Sequence, residues 1–397
     1  MIHAKSAPLV EAAPSPVPVL EQASATGCAA PPKGQRFFHL DALRAALMFW
    51  GILVHASTVA KSGVFLGIAT VSGLVRMEAF FVISGFLAYM LLKKYGATVT
   101  VRKRLLAIGL PLLAALILLN PVTNYLIYCF HNPPISFAGF LKGEGIAGAK
   151  GPINWHLHLW FLIALLIYSM LAPLIERAVD FAVKLVGRWE EPVRSSSGVF
   201  LGIGAGMAIA CIGSRIVFEL IKPGLPGEMH YVVRSIGNFL PFYALGMLLF
   251  ASPPLRGVFS KLHLIQTILS CALLAGINRA GGEDPGRMVE VLVLAVQTYV
   301  AVCLSSLLFW VAGKWVRAEN PVARSLSEAA YSVYLFHFVV LYVSAFVFRP
   351  WIPDGFALLT VISAATFVFT FCLHRFVIRR VPVLELIFNG KPARRAK

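Results

Sequence analysis

Charge is scarce in this chain. Only 13% of its 397 residues are Asp, Glu, Lys or Arg, against about a quarter in a typical water-soluble domain. Acid is scarcer still, with 18 carboxylates against 35 basic side chains. With 58% hydrophobic residues and a mean hydropathy of +0.78, a soluble enzyme is excluded. The apolar residues form helix-length runs instead of alternating, which excludes a membrane β-barrel as well. The six cysteines (Cys28, Cys129, Cys211, Cys271, Cys303 and Cys372) are scattered, with no CxxC pair and no Cys/His metal spacing. Neither a disulfide framework nor a structural zinc is expected. No GxxxxGK[ST] phosphate loop, GxSxG elbow or HExxH helix is present, so the motif-based routes to nucleotide hydrolysis, serine hydrolysis and zinc proteolysis are closed.

What is present is a series of ten apolar segments, near 39–60, 72–92, 105–128, 157–176, 198–218, 230–250, 262–279, 289–312, 329–348 and 356–377. Each is long enough for a transmembrane helix. The expected fold is therefore an all-α integral membrane protein, a bundle of about ten transmembrane helices. Residues 1–35, rich in Ala and Pro, read as a disordered tail; 36–380 form the membrane domain; 381–397 form a short basic tail suited to anionic lipid headgroups.

The net charge of +17 suggests a nucleic-acid partner only until its placement is read. With the amino terminus inside, 24 of the 35 basic residues fall on inner segments. They include Lys93, Lys94, Arg102, Lys103 and Arg104 after the second span, and Arg375, Arg379 and Arg380 after the last. This asymmetry is the positive-inside pattern. It predicts both termini in the cytoplasm and no nucleic-acid partner; the lipid bilayer is the partner. No cleaved leader is required, because the first span can direct its own insertion.

Within the first segment, Arg44 and His55 are eleven residues apart. At 100° per residue they share one helical stripe, about 16 Å apart along the axis. Asp41 joins that stripe one turn earlier. Ionisable groups inside a span are costly and point to function. An imidazole high in the span is a candidate general base for a hydroxyl. Glu78, at the start of the second segment, is placed at a similar depth and is a candidate for orienting that base, with an ion pair to Arg76 as the competing role. His158 and Trp160, at the start of the fourth segment, are candidate wall residues for a carbohydrate, although a boundary Trp is equally an interfacial anchor. His337, mid-span in the ninth segment, suits either substrate contact or a structural hydrogen bond to a neighbouring helix, and His374 reads as interfacial. Arg102, Lys103 and Arg104 are candidate phosphate ligands. The glycine-rich connection 131–156 is long enough to cover a site.

Four ordered motifs carry a resemblance to the membrane-bound acyltransferase 3 family. Arg44 to His55 is similar to its Arg-x10-His pattern, and Phe80-Phe-Val-Ile-Ser-Gly-Phe86 to its second-helix signature. His158-Leu-Trp-Phe-Leu162 and Ser332-Val-Tyr-Leu-Phe-His337 resemble its later motifs. One departure is visible: the family often places an Arg four residues before the proline that Pro111 matches, and this chain has Ala107. Any donor-phosphate role then passes to Arg102, Lys103 or Arg104.

The resemblance, strongest to members acting on periplasmic glucans, implies an enzyme of the bacterial inner membrane. It implies O-acyl transfer, most simply of a succinyl group, from cytoplasmic acyl-CoA to glucan hydroxyls. Acyl-CoA (succinyl-CoA) is then a co-substrate and no bound cofactor is called for. The implied site has His55, Arg44 and Glu78 in catalysis, with Asp41, Arg102, Lys103, Arg104, His158, Trp160 and His337 binding substrates. The alternatives are O-acetyl transfer to another surface polysaccharide or lipid, a secondary transporter or exporter, and a non-catalytic scaffold. The transporter reading would call for duplicated halves, and no internal repeat is evident.

Overall fold

The computed structural model describes residues 37–186, 196–280, 286–316, 318 and 320–391. The expected amino-terminal tail lies outside the described residues, as does the last part of the basic tail. Among the described residues every regular element is helical. The principal helices are α1 Phe38–Ala56, α2 Gly63–Tyr95, α3 Ala97–His131, α4 Leu157–Leu185, α5 Ser196–Ile221 and α6 Gly227–Ala251. They continue as α7 Pro253–Phe259, α8 Leu264–Ala280, α9 Arg287–Trp315, α10 Pro321–Phe348, α11 Phe356–Ile378 and α12 Pro382–Asn389.

Eight of these are long and apolar enough to cross a membrane alone, and α7 and α8, bent by 65° at the break between them, reach that length and apolarity only together. The architecture is that of a polytopic membrane bundle. Helix α1 falls outside that count because Asp41 and Arg44 dilute its 19 residues, yet it packs against α2, α9, α10 and α11 in the middle of the bundle. Its burial among other helices is what makes its charges tolerable. The end of the bundle where α1 begins is called below the amino-terminal end, and the other the far end.

Helix α2 differs from expectation in a way that matters for the site. It begins at Gly63, well before the apolar run expected from residue 72, and spans 33 residues. Arg76 and Glu78 therefore lie inside the helix. Counted back from Tyr95, Glu78 is about 25 Å from the amino-terminal end; counted forward from Phe38, His55 is at the same depth.

The crossing of α2 and α6 is set by two glycines. A Cβ on Gly85 would overlap the carbonyl of Tyr243, and a Cβ on Gly246 would overlap the carbonyl of Val82. The backbones meet with nothing between them, as small residues permit in membranes. Around this contact Phe81 stacks on Phe239 at 5.1 Å, and Phe80 meets Phe161 edge-on at 4.6 Å, tying α2 to α6 and α4.

Helix α3 contains two wide turns, Leu105–Gly109 and Ala115–Leu119. Each ends two residues before a proline, Pro111 or Pro121. A proline has no N–H for the carbonyl four residues back, and the helix widens there instead of breaking. At the chain's end α12 packs back onto Leu110–Ala114 of α3, with Phe388 against Phe336 at 4.9 Å. His374 is buried among helices: its Nδ1 lies 2.8 Å from the hydroxyl of Ser332, which donates to Oδ1 of Asn389, all three buried.

Candidate active site

Helix α1 ends immediately after His55, and its last carbonyls are capped. The hydroxyl of Ser57 donates to the carbonyl of Val54 (2.6 Å) and that of Thr58 to the carbonyl of His55 (2.7 Å). Thr58 also meets the hydroxyl of Tyr342 at 3.1 Å, and His131 Nε2 reaches the same hydroxyl at 3.3 Å. The end of α1 is thereby fixed to α10 and α3.

His158 is delivered differently. Leu157 holds φ +42°, the one non-glycine residue with positive φ among the described residues. A branched side chain in that region is strained, and such strain concentrates at functional sites. The strained residue opens a single 3₁₀ turn, Leu157–Leu159, that turns His158 inward. The hydroxyl of Tyr334 secures it by donating to the His158 carbonyl at 2.6 Å. The preceding connection is well anchored. Side chains of Asn120, Asn124 and Asn132 bond the backbone of Trp155, Asn154 and Lys150. His156 stacks flat on Tyr231 at 5.4 Å.

Three imidazoles meet as a result. Ring centroids are 5.2 Å apart for His55 and His337, 4.8 Å for His158 and His337, and 6.2 Å for His55 and His158. His337 Nδ1 lies 2.7 Å from the carbonyl of Tyr334 within its own helix. That contact is a hydrogen bond only if Nδ1 carries the proton, which leaves Nε2 of the neutral ring as an acceptor. Nε2 of His337 and both ring nitrogens of His158 are buried without a partner among the described residues. Buried polar atoms of this kind call for a partner, and a substrate hydroxyl or carbonyl is the natural one.

Two of the imidazoles, His55 and His158, border a cavity of about 330 Å³ lined also by Arg76, Glu78, Trp160, Tyr231 and Tyr334. Glu78 and His55 share this cavity, but no hydrogen bond joins them in the structure among the described residues. Arg76 forms no close ion pair with Glu78 there. Its Nε donates to Ser72 at 2.8 Å, and its Nη1 lies over Gly51, 2.9 Å from where a Cβ would stand. A side chain at position 51 would push the guanidinium aside.

A second cavity, about 320 Å³, opens near the amino-terminal end between α1, α2 and α3. It is lined by Arg44, Tyr95, Thr100, Lys103 and Arg104 with Met90 and Leu91. Arg44 also pairs with Asp41 at 3.5 Å. Lys103 Nζ sits 3.8 Å from the centre of the Tyr95 ring, and Arg104 Nε is buried without a partner among the described residues. Arg102 is exposed and does not line this cavity. Ala107, at the position noted above as a departure, is at the cavity wall. Arg44 and His55 thus face different cavities from opposite ends of one helix.

Of the residues read from sequence, His55, Glu78, His158 and Trp160 line the first cavity and Arg44, Lys103 and Arg104 the second; His337 touches His55, Asp41 pairs with Arg44, and Arg102 lines neither. Arg76, Tyr231 and Tyr334 were not singled out for the site. Arg76 had a local signal, a charge two residues before Glu78, which a surface ion pair explained as well. Tyr231 had none, since it enters from a helix distant in sequence.

Residues 37–375 match the family model of an acyltransferase domain. Curated relatives include glucans biosynthesis protein C of Escherichia coli strain K12 and of Shigella dysenteriae serotype 1 strain Sd197. Each is 24% identical over 385 residues, covering 91% of this chain and 96% of the relative. No solved structure matches.

Proposed function

This chain belongs to the acyltransferase family whose domain covers residues 37–375, and from that premise we propose that it moves a succinyl group from cytoplasmic succinyl-CoA to hydroxyls of a periplasmic glucan. The observation that carries the reading is the pair of cavities at the two ends of α1, one basic and one rich in imidazole. A donor held by its phosphates and an acceptor held by its hydroxyls require different chemistry, and the two must meet across the bilayer. The basic residues clustered at the amino-terminal end support a cytoplasmic location for both termini, in the bacterial inner membrane.

In this mechanism Arg44, Lys103 and Arg104 hold the donor's phosphates through charge-assisted hydrogen bonds. The apolar pantetheine arm runs along α1 and brings the thioester toward His55. The glucan enters from the far end and rests against Trp160 and Tyr231. His55 takes the proton of an acceptor hydroxyl as its oxygen attacks the thioester carbonyl. The new C–O bond forms, the C–S bond breaks, and the proton passes from His55 to the departing thiolate. The tetrahedral oxyanion needs donors, and Arg76 is the cation nearest to hand in this cavity. Glu78, in the same cavity, balances the imidazolium. Transfer is direct, without an acyl-enzyme.

A succinyl group ends in a second carboxylate, and an acetyl group does not. The presence of Arg76 in the cavity favours the succinyl donor, because a buried carboxylate needs a cationic partner. The test supplies membranes containing the protein with isotope-labelled succinyl-CoA or acetyl-CoA and glucan, and weighs the product. Succinyl ester on the glucan supports the reading. Acetyl ester alone would reassign the donor, and glucan crossing the membrane without consumption of acyl-CoA would point to transport.

A further inference from the structure

A third cavity, about 400 Å³, lies at the far end between α5, α6, α8 and α9, away from both cavities described above. Its polar lining is Arg215, Arg234, Asn278, Glu290 and Gln297; its remaining wall is aliphatic, including Ile277, Val293 and Leu294. Arg215 stands six residues before the end of α5 and Arg234 seven after the start of α6. Both are therefore recessed about 10 Å from the helix ends. Two arginines at matched depth in a membrane bundle are costly unless an anion meets them.

The charges close to this cavity do not cancel. Arg215 Nε is 3.0 Å from Glu219 Oε1, and Lys222 Nζ is 3.7 Å from Glu219 Oε2. Glu219 is thus already shared by two cations. Glu290 is the one carboxylate lining the cavity among the described residues, and Arg234 makes neither a hydrogen bond nor an ion pair among them. Among the residues that line the cavity, Arg215 and Arg234 against Glu290 leave one positive charge in excess. The outward faces of the same helices are apolar: Ile216, Val217 and Leu292 are each about half exposed.

We propose that this cavity binds the phosphodiester headgroup of an anionic phospholipid in the far leaflet. Arg234 and Arg215 hold the phosphate, Asn278 and Gln297 meet the glycerol oxygens, and the acyl chains leave along the aliphatic wall. One excess cation matches one phosphodiester charge, and the mixed polar and aliphatic lining suits a lipid better than a soluble acid. The proposal does not depend on the acyl-transfer reading, because none of these residues lines either of the other cavities.

The test uses the full chain, purified in detergent and stripped of lipid, in native mass spectrometry with added phosphatidylglycerol. Phosphatidylcholine and glycerol 1-phosphate are the comparison probes. The expected result is retention of one phosphatidylglycerol, with roughly tenfold weaker retention in Arg234→Gln, which removes a charge-assisted contact and strands no protein partner. Val291→Trp, at the aliphatic wall, should weaken retention while keeping both arginines. Unchanged retention in both variants, or equal retention of phosphatidylcholine, would overturn the proposal. Glycerol 1-phosphate binding as tightly as the lipid would also overturn it, making this a site for soluble anions.

Discussion

The ring of His55 lies 5.2 Å from that of His337, centroid to centroid, and the two reach this contact from helices that are far apart in sequence. The contact is asymmetric. His337 is oriented by the Tyr334 carbonyl at 2.7 Å, and its buried Nε2 has no partner among the described residues. His55 borders the cavity. A fixed acceptor beside an imidazole facing the substrate divides the work between binding and proton transfer.

His55→Ala should leave the protein inserted and folded, with acyl transfer reduced roughly 10²- to 10⁴-fold, the range for loss of a general base. Labelled ester on the glucan measures it. Near-normal labelling would move the base to His158 or His337.

Glu78→Gln keeps the shape of the side chain and removes its charge. If Glu78 stabilises the imidazolium during transfer, turnover should fall roughly 10²-fold while KM for the donor holds. A change confined to KM would instead make Glu78 a binding residue.

Arg44→Ala and Arg104→Ala act at the other end of α1. Each should raise KM for acyl-CoA roughly tenfold with little change in kcat, as expected for a charge-assisted contact to phosphate. If both variants lower kcat and leave KM untouched, the basic cavity is not the donor site.

Arg76→Gln should alter donor choice. With the guanidinium gone, kcat/KM for succinyl-CoA should fall more than that for acetyl-CoA, by roughly tenfold in the ratio. Equal loss with both donors would confine Arg76 to the oxyanion.

Gly246→Ala tests the α2–α6 contact. An added methyl would overlap the Val82 carbonyl, and overpacking of this kind costs about 1–3 kcal/mol. A lower unfolding midpoint in detergent is expected. An unchanged midpoint would mean that the crossing can open without loss.

Much of the molecule was legible without coordinates, because a bilayer imposes strong rules on sequence. Apolar length gave the helices, basic placement suggested their direction, and helical periodicity put Arg44, His55 and Asp41 on one stripe. Helix α1 bears that out as a single continuous rod. Helix α2 extends beyond the apolar run expected at 72–92, beginning at Gly63, where glycine mixed with apolar residues gives no clear start signal.

What the sequence determined, then, is everything local: which segments are helical, and which polar side chains are buried at a cost. Tertiary structure alone decided that Arg44 and His55 face separate cavities, that a strained Leu157 turns His158 toward His337, and that Arg76 and Tyr231 border the same space. These are distances between residues on different helices. In a membrane they are set by packing and small-residue contacts such as Gly85 with Tyr243, which leave no periodic trace in the chain.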